Sequence, residues 1–129
     1  MSPNPAAVSL QQIAQIAVNV HDVKRAVAFY RDVLSLPLLF EVPPKMAFFR
    51  CGDVRLMLSL PERAEYDHPG SILYYRVSDI EATATTLESR GVVFDGRPHK
   101  VATMPDHELW MGFFKDSEGN LLALLEEKR

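Results

Sequence analysis

The sequence predicts an α+β fold made of two copies of one βαβββ module, and three observations support this prediction. An alternating apolar run, Ile16, Val18 and Val20, is followed at once by a helical apolar pattern with Asp22 as its N-cap. Three further strand-like runs complete the first module. The same order of patterns returns in the second half, where residues 77–80 repeat the Val-x-Asp-aliphatic motif of residues 20–23.

The first module is expected at about residues 10–60, with a strand at 14–20 and a helix at 23–34. Its remaining strands are predicted at 38–42, 46–51 and 54–59, with a short turn signal at Gly52-Asp53 between the last two. Residues 1–9, with two prolines, are predicted to be a loose tail. The polar, proline-bounded stretch 61–70 is predicted to link the modules.

The second module is expected at about residues 71–129, so that residues 10–129 form a single domain. A strand is predicted at 72–77 and a helix at 80–90, with Gly91 ending the helix. Further strands are predicted near 92–94, 109–114 and 121–125. Residues 99–107 are predicted to be irregular and to cross the mouth of the fold, because Pro98 and Pro105 flank most of them.

The composition is that of an ordinary globular protein, with 129 residues, 47% hydrophobic and 24% charged. A net charge of −3 gives no excess of basic residues that would favour nucleic-acid binding. No apolar run reaches the roughly 20 residues that span a bilayer, and the first residues lack a signal-peptide pattern. Cys51 is the only cysteine, which excludes an internal disulfide. We therefore expect a cytoplasmic protein without nucleic-acid or membrane partners.

Two motifs resemble those of the vicinal-oxygen-chelate superfamily, which includes glyoxalase I, bleomycin-resistance proteins, fosfomycin-resistance enzymes and extradiol dioxygenases. Asp22 through Phe29-Tyr30 to Leu34 is similar to the D-x₆-FY-x₃-LG pattern of the family. Residues 113–120, FFKDSEGN, are similar to its FF-x-DPDGN turn. Ser35 and Ser117 stand where the family usually has Gly and Pro.

The resemblance implies two modules curled around an open cup, in which metal-dependent members hold a divalent ion with two residues from each module. The corresponding positions here are Gln15, Met57, Ile72 and Ala123. Zinc, iron and manganese sites need imidazole, carboxylate or carbonyl donors. Only Gln15 offers one, so the sequence predicts no metal and no other cofactor.

Strand alternation predicts which residues line the cup. If Ile16, Val18 and Val20 face the helix, then Gln15 and Asn19 face the cup, and the same parity applies to the later strands. The predicted ligand pocket comprises Gln15, Asn19, Met57, Ile72, Tyr74, Trp110 and Ala123. Apolar walls with a few polar groups are typical of a small-molecule site. We expect an apolar or aromatic compound between Trp110 and a floor of Gln15 and Met57; alternatively, Met57 fills core and Gln15 bonds within the sheet.

Three functions remain open from the sequence. The first is a metal-free protein that binds a small molecule in the cup. The second is a metal-independent lyase or isomerase that uses His99, His107 or Tyr74 for proton transfer. The third is a glyoxalase-like metal-dependent lyase or dioxygenase. In each case a homodimer is expected, because exposed strand edges and large apolar patches are normally covered.

Overall fold

The computed structural model describes residues 8–129, and residues 1–7 of the predicted tail lie outside this range. It contains two four-stranded sheets. Sheet 1 has the strand order β1-β4-β3-β2 and consists of β1 (Gln15–Asn19), β2 (Leu38–Val42), β3 (Met46–Cys51) and β4 (Val54–Ser59). Sheet 2 has the order β5-β8-β7-β6 and consists of β5 (Leu73–Arg76), β6 (His99–Thr103), β7 (Glu108–Lys115) and β8 (Leu121–Lys128). The predicted α+β fold of two βαβββ modules is confirmed.

Each sheet has the same pairing pattern. Its first strand pairs in parallel with its last strand, and the other neighbours are antiparallel. The first strand is therefore an edge strand in both sheets, with a helix as the connection to the next strand.

The helices begin directly after the first strand of each sheet. They are α1 (Val23–Ala28) and α2 (Ile80–Ser89). Asp22 and Asp79 are their N-caps, and each side chain accepts a hydrogen bond of 3.0 Å from the backbone N–H three residues later. This contact satisfies a donor that a helix start leaves free. Among residues 8–129 no helix is long and apolar enough to cross a membrane.

The end of α1 departs from an ideal helix. The α-helix continues as a π-helical segment, Phe29–Val33, in which the N–H of Leu34 donates to the carbonyl of Phe29 at 3.0 Å. Ser35 then adopts a φ of 62°, the left-handed region that favours glycine. The position where the family usually has Gly is thus a genuine left-handed helix end, and Ser35 occupies it at a conformational cost.

One continuous apolar core fills the helix-covered sides of both sheets. Alternate residues of β3, β4, β7 and β8 point into it, and the apolar faces of both helices cover them. Its largest fully buried side chains are Tyr30, Phe49, Phe114, Leu56, Leu58, Ile80, Leu122 and Val20. The core explains the predicted alternation of Ile16, Val18 and Val20, which all pack on this side of β1.

Two predictions for the second module are wrong. Residues 92–94 form one isolated bridge, from Phe94 to Phe114, and not a strand. Gly91 and Gly96 have positive φ angles of 96° and 76°, so the chain turns on both sides of this short run. Residues 99–107 are not an irregular crossing segment, because His99–Thr103 is strand β6 and pairs with β7.

A buried carboxylate joins the two modules. Asp116, in the turn between β7 and β8, is only 7% exposed. It accepts 2.8 Å hydrogen bonds from the backbone N–H groups of Glu118 and Asn120, and one of 2.9 Å from the Asn120 side chain. The fourth donor is the Tyr30 hydroxyl of the π-helical segment, at 2.7 Å. The turn is thereby organised and fixed to the first module by one group.

Glu118 adds a second link between the modules at the start of α1. Its fully buried side chain accepts hydrogen bonds of 3.0 Å from the backbone N–H groups of His21 and Asp22. Arg25 completes the contact with an ion pair of 2.6 Å. Burial opposes ionisation of Glu118, but the hydrogen bonds from Arg25 and the helix start outweigh it and lower the pKa of this carboxyl to about 2.

Replacing Tyr30 with Phe should destabilise the protein by about 1–2 kcal/mol, because Asp116 would lose one donor in a buried site. Tyr75→Phe is the matched control, since the Tyr75 hydroxyl is buried and finds no hydrogen-bond partner among residues 8–129. Urea denaturation of both variants should show a loss for the first and little change or a gain for the second. Equal losses would show that the Tyr30–Asp116 hydrogen bond does not stabilise the fold.

Candidate functional site

The side of each sheet that is turned away from the helices keeps large exposed side chains among residues 8–129, and we call it the open face. On sheet 1 the strand registers place on it Gln15, Ala17, Asn19, Arg55, Met57, Ser59, Arg50, Phe48, Met46, Phe40 and Val42. On sheet 2 they place on it Tyr74, Arg76, Leu121, Ala123, Leu125, Glu127, Phe113, Met111, Leu109 and His99, and Ile72 precedes β5 with the same parity. Phe40 and Tyr74 are both 47% exposed, so large apolar surface reaches solvent on both faces.

The open face of sheet 1 carries a row of mutually contacting side chains. The Arg55 Nε donates to Gln15 Oε1 at 2.7 Å, and the Gln15 amide nitrogen lies 3.8 Å from the Met57 sulfur. The Arg55 guanidinium carbon lies 5.2 Å from the centre of the Phe48 ring. On its other side Phe48 stacks on Phe40, with 4.5 Å between ring centres. The row combines a cation, an amide, a thioether and an aromatic platform.

The open face of sheet 2 is more apolar. Tyr74 and Phe113 flank Ala123 in the register of the sheet, and their rings meet edge to face with 6.0 Å between centres. Ala123 is fully buried. A small residue at this position leaves room for the two rings to meet above it.

The four superfamily metal positions do not fit a metal. Gln15 is the only one with a hard donor, and its oxygen already accepts a hydrogen bond from Arg55. Met57 offers a soft thioether, while Ile72 and Ala123 offer no lone pair. Within residues 8–129 no group of three His, Cys, Asp or Glu side chains is arranged to hold a metal ion.

A cavity of about 760 Å³ lies at the junction of the modules. Of the predicted pocket residues, Asn19 and Ile72 line it. The Asn19 amide nitrogen donates to the backbone carbonyls of Tyr66 and His68, at 2.5 and 3.3 Å. Asn19 therefore anchors the linker across one end of the open face of sheet 1.

The prediction that Trp110 lies opposite the Gln15–Met57 floor is wrong. Trp110 shares a side of β7 with Gly112 and Phe114, and it packs partly buried against the core on the helix-covered side. The Lys128 ammonium lies 3.9 Å from the centre of its ring. Strand alternation fixes this orientation, because Trp110 lies four residues before the buried Phe114 on the same strand.

The candidate acid–base residues do not share a centre. Tyr74 lies on β5 and His99 on β6, which are opposite edges of sheet 2 and thus about 14 Å apart. The His107 ring is held between two carboxylates, with Nδ1 2.7 Å from Asp106 and Nε2 3.5 Å from Glu127. Both His107 nitrogens therefore face carboxylates, and neither contacts Tyr74.

Sequence reasoning missed the aromatic and basic part of the open face. Phe40, Phe48 and Arg50 belong to it, and their places follow from the registers of β2 and β3. The turn signal at Gly52-Asp53 is sufficient for two of them, because a hairpin there places Arg50 opposite Arg55 and Phe48 opposite Met57.

Comparison with known proteins identifies the family. The model of the Glyoxalase/Bleomycin resistance protein/Dioxygenase superfamily matches residues 12–124. The chain belongs to this superfamily. A relative in this comparison is YraH of Bacillus subtilis (strain 168), 27% identical in an alignment that covers 88% of this chain and 96% of YraH.

Two solved structures show how widely functions vary on this superfamily's fold. Lactoylglutathione lyase from Agrobacterium tumefaciens is 24% identical, with a TM-score of 0.71 and coverage of 90% of this chain and 93% of that one. The antibiotic-binding protein TnmS3 from a Streptomyces species is also 24% identical, with a TM-score of 0.74 and coverage of 95% and 100%. At this identity the likeness establishes the fold and not the activity.

Proposed function

We propose that this superfamily member binds an apolar or aromatic small molecule on its open faces, and that it does so without a metal. The exposed apolar surface around Phe40, Met57 and Tyr74 carries the proposal. Polar groups are few and placed beside it, at Gln15 and Arg55. This is the usual chemistry of a small-molecule site.

Two further points favour binding over catalysis. Tyr74 and His99 lie on opposite edges of sheet 2, and both ring nitrogens of His107 face carboxylates, so these candidate groups form no single acid–base centre. The resemblance to TnmS3, an antibiotic-binding protein, supports a binding role on this fold. A thermal-shift screen of aromatic and apolar metabolites tests the proposal, and the absence of any stabilising compound would count against it.

We also propose that a second copy of the chain completes the site. The helix-covered sides of both sheets meet in one core, whereas both open faces remain exposed within the single chain. A homodimer that brings the open face of one copy against its partner would enclose the ligand and cover Phe40, Val42, Ile72 and Tyr74.

The first prediction concerns the metal. Because only Gln15 among the four superfamily positions offers a hard donor, elemental analysis of purified protein should give far less than one zinc, nickel, iron or manganese ion per chain. Chelators should leave the melting temperature unchanged, since no bound ion stabilises the fold. A stoichiometric ion that is lost together with stability on chelation would contradict the proposal.

The second prediction concerns assembly. Sedimentation at micromolar concentration should show a dimer of the 14.6 kDa chain. Phe40→Glu should convert it to a monomer, because a charge would be buried at the interface. Val93→Glu is the control, since Val93 is 84% exposed but lies outside the open faces. A wild-type monomer, or equal effects of both variants, would exclude this dimer.

The third prediction concerns Met57. Met57→Trp should abolish binding of a compound found in the screen, measured by calorimetry, and should leave the melting temperature nearly unchanged because the side chain extends over an open face. Leu58→Met is the control for a substitution in the core, because Leu58 lies on the same strand but is fully buried. If Met57→Trp instead destabilises by about 1–3 kcal/mol and spares binding, Met57 is core and not floor.

A further inference from the structure

Two arginines lie directly opposite each other on the open face of sheet 1. Arg50 on β3 and Arg55 on β4 are register partners, and both side chains are exposed. Opposite residues of neighbouring strands have Cβ atoms about 5 Å apart, and like charges at this spacing repel each other. This part of the sheet therefore carries an unfavourable arrangement that an anion would relieve.

No carboxylate of the described chain provides that relief. Within residues 8–129 six arginines form ion pairs, namely Arg25, Arg31, Arg63, Arg76, Arg97 and Arg129. Arg50 and Arg55 form none in the same range. The contrast is sharpest with Arg76, which lies on the open face of sheet 2 and pairs with Glu127 at 2.9 Å.

Arg55 is held in place by neutral groups and keeps donors free. Its Nε donates to Gln15, and its guanidinium rests over the Phe48 ring. Among residues 8–129 its two terminal nitrogens make no hydrogen bond that would occupy them. A guanidinium fixed in this way can offer two parallel N–H donors to two oxygens of a carboxylate or phosphate.

The aromatic platform lies in the next row of the same face. Phe48 and Met57 are register partners, and Phe40 stacks on Phe48 with its own ring half exposed. A flat ring that lies along Phe40 and Met57 would thus carry its substituent towards Arg55.

We propose that Arg50 and Arg55 form an oxyanion site that takes the carboxylate or phosphate of an aromatic ligand whose ring lies along Phe40 and Met57. The inference rests on the proposed ligand-binding function and further specifies that the ligand is an anion. The arginines supply positive charge at an open face where the superfamily metal positions supply none.

Calorimetric titration of the full chain with three matched probes tests this site. The probes are 2-naphthoate, 2-naphthyl phosphate and neutral 2-naphthamide. Wild-type protein should bind at least one anionic probe about tenfold or more tightly than the amide, and the preferred probe distinguishes a carboxylate site from a phosphate site. Arg55→Gln and Arg50→Gln should each remove most of this preference, measured as the ratio of anion affinity to amide affinity within the same variant.

Arg63→Gln is the control for net charge, because Arg63 lies in the linker and pairs with Glu65. It should keep the preference for the anion. Arg55→Lys should keep part of it, because the charge remains but the planar fork is lost. Melting temperatures of all variants establish that they fold.

Each other result overturns the inference. Wild-type protein that binds the amide as tightly as the anions retains the proposed ligand site but has no oxyanion site. Equal loss of preference in Arg63→Gln shows a general charge effect. Loss of the dimer in Arg50→Gln or Arg55→Gln without loss of anion preference assigns the arginines to the subunit contact. If wild-type protein binds none of the probes although a compound from the thermal-shift screen does bind, the aromatic oxyanion site is rejected and the proposed function is retained.

Discussion

The Asp116 carboxylate is the interaction on which the arrangement of the two modules depends. Three of its four hydrogen bonds come from its own turn, and the fourth comes from Tyr30 in the other module. A buried carboxylate is costly unless such donors surround it, so the turn and the helix are held in a single geometry. Glu118 reinforces the same junction by capping the start of α1. The helix-covered sides of the sheets are therefore joined, and the open faces remain available for other contacts.

Much of the fold follows from local patterns. The N-caps Asp22 and Asp79, the alternation around Val18 and the hairpin turns are short-range signals, and the structure contains each of them. The position of β6 depends instead on pairing with β7, a contact that no local pattern encodes. Pro98 and Pro105 flank this strand closely, and prolines so near its ends favour the prediction of an irregular segment. The π-helical end of α1 likewise coincides with a tertiary contact, since Tyr30 within it donates to Asp116.

The candidate site is predictable to the extent that strand parity determines it. Gln15 and Met57 share the open face as alternation requires, and they contact each other. Trp110 obeys the same rule, because alternation along β7 places it on the side of the buried Phe114 and away from the open face. That the four superfamily positions do not fit a metal follows from their residue types alone. The opposed arginines could not be recognised as unpaired from sequence, because the distribution of carboxylates over the surface depends on the whole fold.

The central claim is that ligand binds on the open faces, and methionine-methyl NMR tests it most directly. Met46, Met57 and Met111 lie on these faces, whereas Trp110 lies on the helix-covered side. Titration with an aromatic compound that stabilises the protein should shift the Met57 methyl resonance, together with that of Met46 or Met111. The Trp110 indole resonance should stay in place. A titration that shifts the indole and leaves all three methyl resonances unchanged would contradict the account.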